Sequence, residues 1–297
     1  MRQKNIVVRW LAFCLLLSAG TAAAGNSRAL LWEARSGAAT VYLFGTIHVG
    51  RADFYPLATN VEKAFRASSA LALEVDFSEE KSIAASMQIG MLPRGRTLEQ
   101  ELSADMAGQL RRILTAGALP MEGFRPLKPF MAMLALVSME YAKLGYLPEF
   151  GLDQYFARRA RLEAKAVIGL ESGEGQLRMM DGLSTPLQQA MLKLTLDDIE
   201  AGKVAPVAER LISSWRRGDA QAVHELLISE SKRLPAPAEL EFREKFLTAR
   251  NRVMLAGVEK ALEANDTLFV AVGALHLIGP DSLTALMERN GFSLKRL

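Results

Sequence analysis

The chain contains three histidines, His48, His224 and His276, and two of them occupy the same local frame. In each, an apolar run is followed by a glycine, two further residues and the histidine: Gly45 to His48 and Gly273 to His276. An imidazole just beyond a strand end can ligate a divalent metal or serve as a general base. Glycine at that point permits a sharp turn or a positive φ, and the C-terminal edge of an open α/β sheet is where ligands bind. A histidine that merely caps a turn is the competing explanation for one Gly-x-x-His. Two matched frames in so histidine-poor a chain favour a shared site. His224, on a helix beside Glu225 and outside any such frame, is expected to face solvent or make a structural hydrogen bond.

Glu74 is the third candidate, because a carboxylate inside the apolar run ALALEVD must be paired, hydrogen-bonded or metal-bound to offset its desolvation. A solvent-facing position is the alternative. Asp76 shares its face nearer the strand end, and Glu171 ends another apolar run in a weaker version of the same arrangement. Two imidazoles and one or two carboxylates could hold a divalent metal and activate water. They could equally work without metal, a histidine acting as base. No Gly-x-Ser-x-Gly elbow is present to support a serine mechanism.

The elements that must position these groups read as α/β. The runs at 40–44, 70–76, 166–170 and 267–272 are strands, rich in β-branched or alternating apolar residues and closed by Gly, Asp or Glu. Helical patterns cover 59–67, 104–115 after Ser103, 129–144, 152–162, 186–200, 204–216, 219–228 and a long stretch from 240 to 263. Pro235 and Pro237 read as a break, and Pro280 with Asp281 as the opening of a terminal helix. Met131, Met133 and Met139 read as adaptable core. The expected architecture is a central mixed sheet, with strand–Gly-x-x-His–helix units near both ends of the chain and a helical middle covering the site.

Arg2, Lys4 and Arg9 precede an apolar run from Trp10 to Leu17 and the small residues Ala22-Ala23-Ala24, the pattern of a cleaved secretory signal over residues 1–24. Residues 25–297 are expected to form one exported domain, periplasmic or secreted, with no stable membrane insertion. Removing the signal takes the formal charge from +3 to neutral, which argues against nucleic-acid binding and leaves a peptide or small molecule as the expected partner. Cys14, the sole cysteine, falls inside the apolar run, so the mature chain has neither disulfides nor a thiolate nucleophile.

The segments LWEARSGAATVYLFGTIHVGRADFYPL, ALALEVD, GLDQYF, AVIGLES, ARNRVM and VAVGALHLIGPDSL, taken in order, resemble the TraB/GumN family over nearly the whole mature chain. That family is similar to the TIKI metalloproteases and, more remotely, to erythromycin esterase and ChaN-like haem-binding lipoproteins. The resemblance implies an α/β core, both Gly-x-x-His turns at one site, and divalent-metal-dependent peptide hydrolysis (Mn, Co or Zn). It places His48, Glu74 and His276 at the metal, and adds Arg250 and Asn251 as groups for substrate or an oxyanion. Asp153 and Tyr155 are expected to be architectural. An esterase with His48 as base, and a non-catalytic protein that binds metal, haem or peptide, are the remaining alternatives.

Overall fold

The computed structural model describes residues 29–76 and 88–297; the expected signal, Cys14 and the start of the helical middle lie outside them. Six strands form one mixed sheet in the order β4-β3-β5-β2-β1-β6. They are β1 (Leu31–Ser36), β2 (Ala39–Thr46), β3 (Ala70–Val75), β4 (Ala166–Glu171), β5 (Thr267–Gly273) and β6 (Ser293–Arg296). Strands β2, β5, β3 and β4 run parallel, and β1 pairs antiparallel with both β2 and β6. The C-terminal ends of four adjacent strands therefore share one edge, carrying in order Glu171, Glu74, the turn to His276 and the turn to His48.

Helices cover both faces, which is why β3 is buried along its whole length. On one face Leu71, Leu73, Phe44 and Phe269 meet α1 (Thr59–Ala67), α4 (Leu152–Leu162) and α7 (Val204–Arg216) through Phe65, Phe156 and Trp215. On the other, Ala72, Val270 and Leu43 meet α10 (Ala249–Leu262) and α11 (Leu283–Arg289) through Met254, Val258 and Met287. Strand periodicity turns Glu74 toward this second face, where α10 brings Arg250 and Asn251.

The helical middle comprises α2 (Ala104–Ala116), α3 (Pro129–Lys143), α5 (Gly173–Asp181) and α6 (Thr185–Glu200), followed by α8 (Ala220–Ser231) and α9 (Ala236–Phe242). Ser103, Ser172, Ser184, Asp219 and Ser282 each accept a backbone N–H at the start of the helix that follows, which fixes those boundaries. Helices α2, α3 and α6 build a core of their own with no strand residue in it, and Met133 and Met139 belong to that core. Met131 instead lies over Gly90, where a side chain would collide with its methyl.

The break expected at Pro235 and Pro237 is present: α8 ends at Ser231 and α9 starts at Ala236, with Pro235 at its N-cap and Pro237 in its first turn, where a missing N–H costs nothing. The long helix expected from 240 to 263 is also present, running on from α9 into α10 through a π-helical segment, Arg243–Thr248, that the sequence did not announce. Wide π turns often mark functional positions, and this one delivers Arg250 and Asn251.

Candidate active site

Each glycine of the paired motifs has a local reason, and it is not the one expected. Neither Gly45 nor Gly273 has a positive φ; Gly273 sits at φ −49°, ψ 134°, open to any residue. Space decides instead. A Cβ on Gly45 would lie 3.1 Å from the Ala274 Cα, so the two turns pack directly on each other. A Cβ on Gly273 would lie 3.0 Å from Glu74 Oε1, 3.6 Å from His48 Nε2 and 3.7 Å from His276 Cδ2. That point is the middle of the site.

His48 and His276 converge on one oxygen. The Nε2 atoms lie 4.0 Å and 3.9 Å from Glu74 Oε1, which also accepts the Gly273 N–H at 2.6 Å. Each ring is oriented from behind. His48 Nδ1 meets Asp153 Oδ2 at 2.9 Å, and Thr46 Oγ1 donates to the other Asp153 oxygen at 2.9 Å. An ionised carboxylate only accepts, so this nitrogen carries the hydrogen. His276 Nδ1 meets Asn251 Oδ1 at 2.7 Å, while Asn251 Nδ2 donates to the Asp281 carbonyl at 2.7 Å. That donation fixes the amide orientation, so Nδ1 of His276 is also the N–H and its Nε2 the lone pair facing Glu74.

Glu74 is 6% exposed and paired. Its Oε2 accepts from Arg250 Nη2 at 2.5 Å and from Gln176 Nε2 at 3.3 Å. The same guanidinium binds Glu171 through Nε and Nη2, at 3.0 and 2.6 Å to Oε2. Burial opposes ionisation of Glu74, but the charges of His48 and Arg250 and the Gly273 N–H outweigh it and hold the pKa at about 2. The two histidines diverge. Burial, aided by the Arg250 and His48 charges, pushes His276 down to about 4 despite the attraction of Glu74. Desolvation also lowers the pKa of His48, though its side chain is 66% exposed, but Asp153 with Glu74 behind it raises that pKa to about 9. Asp153→Asn is expected to bring the His48 pKa down toward the ordinary 6.5, measured by NMR titration of the imidazole; an unchanged value would show that Asp153 does not set it.

The structure brings both Arg250 and Asn251 to this site. Arg250 donates to Glu171, Glu74 and the Phe246 carbonyl, and Asn251, 1% exposed, bonds His276 and the Asp281 carbonyl. In these bonds Arg250 holds the two carboxylates and Asn251 holds the His276 ring. Asp153 is the partner of His48, whereas Tyr155 lies apart, bonded to Glu62 and stacked on Tyr55. Gln176 carried no signal in the sequence, and Thr46 fills an unspecified position of the first Gly-x-x-His frame. His224 departs from its expectation: its Nδ1 is buried without a hydrogen-bond partner, and its ring lies against Gly279.

The site opens into a cleft of about 360 Å³, lined by His48, Glu74 and Asp153 and by the apolar side chains of Leu73, Val75 and Ala157. Among the described residues no helix is long and apolar enough to cross a membrane.

A model of the TraB/PrgY/gumN family matches residues 30–296. The chain is 26% identical to metalloprotease TIKI2 of Xenopus tropicalis over 86% of its own length and 57% of that protein. It is 25% identical to the metalloprotease TIKI homolog of Nematostella vectensis, over 91% of this chain and 67% of that one. It is 27% identical to the uncharacterized protein YbaP of Escherichia coli, covering 83% of this chain and 87% of the relative. The chain thus spans little more than half the length of the Xenopus relative. No solved structure matches it. A match running from β1 to β6, through both histidine turns, makes this chain a member of the TraB/PrgY/gumN family.

Proposed function

We propose that this protein is an exported, divalent-metal-dependent hydrolase that cleaves peptides, with His48, Glu74 and His276 as its metal-binding and catalytic centre. The observation that carries the reading is the convergence of two imidazole Nε2 atoms, each with its Nδ1 hydrogen already engaged, on one buried carboxylate oxygen at 4.0 and 3.9 Å. Metal-bound histidines are characteristically held this way, the far N–H donating to a carboxylate or carbonyl oxygen.

The donor chemistry fits a divalent cation. A neutral His276 Nε2 and a carboxylate oxygen facing each other are two acceptors, an arrangement that a cation between them satisfies, and the absence of a side chain on Gly273 keeps that space clear. Among the described residues no group of three His, Cys, Asp or Glu stands close enough to hold a metal ion as it is, so binding on this reading draws the two rings and Glu74 together. Such a cation would supply a Lewis acid and an acidified water there.

The chain's own residues do the rest. Asp153 and Asn251 fix the two rings. Arg250 and the Gly273 N–H keep Glu74 ionised, and a carboxylate held at about pKa 2 is a poor proton acceptor; its part is to supply negative charge at Oε1 rather than to take up a proton. The apolar cleft wall restricts water around a bound substrate. The metalloprotease name carried by the TIKI relatives supports peptide bonds as the substrate class, and the leader pattern at residues 1–24 supports export.

A metal-free mechanism is the second reading, favoured by the opposed histidine pKa values: protonated His48 as acid, neutral His276 as base. The test is purification without a histidine tag, metal analysis, and peptide hydrolysis with and without chelator. Bound metal and chelator-sensitive cleavage are expected. Chelator-insensitive cleavage lost in His48→Ala selects the second reading, and a protein with neither metal nor turnover overturns both.

A further inference from the structure

The cleft that exposes His48 and Glu74 runs on along α4. Asp153, Ala157 and Arg161 recur at four-residue spacing and so present one face of that helix to it. Asp153, at the first turn, holds His48; Arg161, two turns later, lies about 12 Å further along the helix axis at 1.5 Å per residue. Opposite stand Leu73 and Val75 of β3. Among the described residues that line this cleft, Arg161 is the one lysine or arginine.

The bonding of Arg161 leaves most of its capacity unused. It gives one hydrogen bond, from Nη2 to Asp76 Oδ1 at 2.9 Å, and its side chain is 46% exposed. Guanidinium carries five N–H donors in a planar fork. Arg250 of this same protein shows that one such group can serve two carboxylates together, Glu171 and Glu74. The Arg161–Asp76 pair is not needed to dock α4, whose Leu152, Phe156 and Ala160 are fully buried in the core, and half-exposed pairs contribute little to stability. Asp76 fixes one edge of the guanidinium and leaves the other N–H groups free to meet a ligand in the cleft.

We propose that Arg161 is a specificity residue that receives a carboxylate of the substrate, lying about three or four residues of extended chain (~3.3 Å each) from the bond presented to Glu74 and the histidines. The assignment rests on the reading of this site as a peptide hydrolase. Leu73, Val75 and Ala157, between the two ends, suit small apolar side chains in the intervening substrate residues. The carboxylate could be a chain terminus or an acidic side chain; the chemistry recognised is the same.

Three peptides test it: acetyl-tetra-alanine with a free C-terminal carboxylate, the same peptide as its carboxamide, and a carboxamide peptide ending in Glu. Dissociation constants are measured by calorimetry for the full protein, R161Q and R161K, with chelator present to halt metal-dependent turnover. At least one carboxylate peptide is expected to bind about tenfold tighter than the neutral one. In R161Q that ratio falls to about one, and R161K keeps part of it. Preference for the first peptide identifies a chain terminus, and preference for the third an acidic side chain. Equal binding of all three by the wild-type protein, no binding at all, or equal weakening of charged and neutral peptides in R161Q would overturn the assignment. Turnover of the same peptides is followed separately without chelator. An Arg161-dependent preference without any turnover removes the hydrolase reading and leaves the carboxylate site standing.

Discussion

Gly273→Ala is expected to give a folded protein that has lost its metal uptake and, on any peptide the wild type cleaves, on the order of 100-fold or more of its activity. The backbone at this position, φ −49° and ψ 134°, accepts alanine without strain, so the fold has no torsional reason to fail. The added methyl group would stand 3.0 Å from Glu74 Oε1 and 3.6 Å from His48 Nε2, inside the space where these groups converge. It would force the carboxylate aside and cover the lone pairs. Metal content, peptide turnover and the thermal midpoint check this together. A G273A protein with undiminished metal content and turnover would show that the reacting centre lies elsewhere, while a collapsed midpoint would assign the glycine to folding.

Arg250→Met should have the largest effect on stability. Glu74 and Glu171 side chains are 7% and 11% exposed, and this guanidinium is bonded to both. Removing one partner of a buried ion pair leaves uncompensated charge, at a cost of about 3–5 kcal/mol. Urea unfolding at pH 7 should register that loss, and adding Glu171→Gln to the variant should recover part of it. The pKa of Glu74 is expected to rise, because Arg250 is one of the charges holding it down. A loss below about 1 kcal/mol, the range of an exposed pair, would mean that water already screens this cluster.

The four parallel strands were legible in the sequence because three of them are nearly continuous apolar runs with abrupt polar or glycine ends. Strand β1, LWEARS, was not: Glu33 and Arg35 break its apolar pattern, and its pairing with β2 and β6 comes from the sheet. Strand order was equally hidden, since nothing near Thr267 says that β5 lies between β3 and β2. The π segment REKFLT contains no proline or glycine to betray it. At the site, His48, Glu74 and His276 stood out by frame and by burial against type. Which groups Arg250 and Asn251 bond could not be read locally, because their partners Glu171 and the Asp281 carbonyl are distant in sequence. The same applies to Gly273, where the sequence suggested a torsional need and the structure shows a steric one.

The position of β5 has a consequence for biogenesis. It is the last parallel strand to be synthesised, yet it separates β3 from β2 and bonds to both. A nascent chain ending before Thr267 can pair β3 with β4 and β1 with β2, but has nothing to bridge the two halves. Neither His276 nor the Gly273 amide exists in it. A polypeptide terminated before Thr267 therefore lacks both the strand that joins the two halves of the sheet and half of the proposed centre.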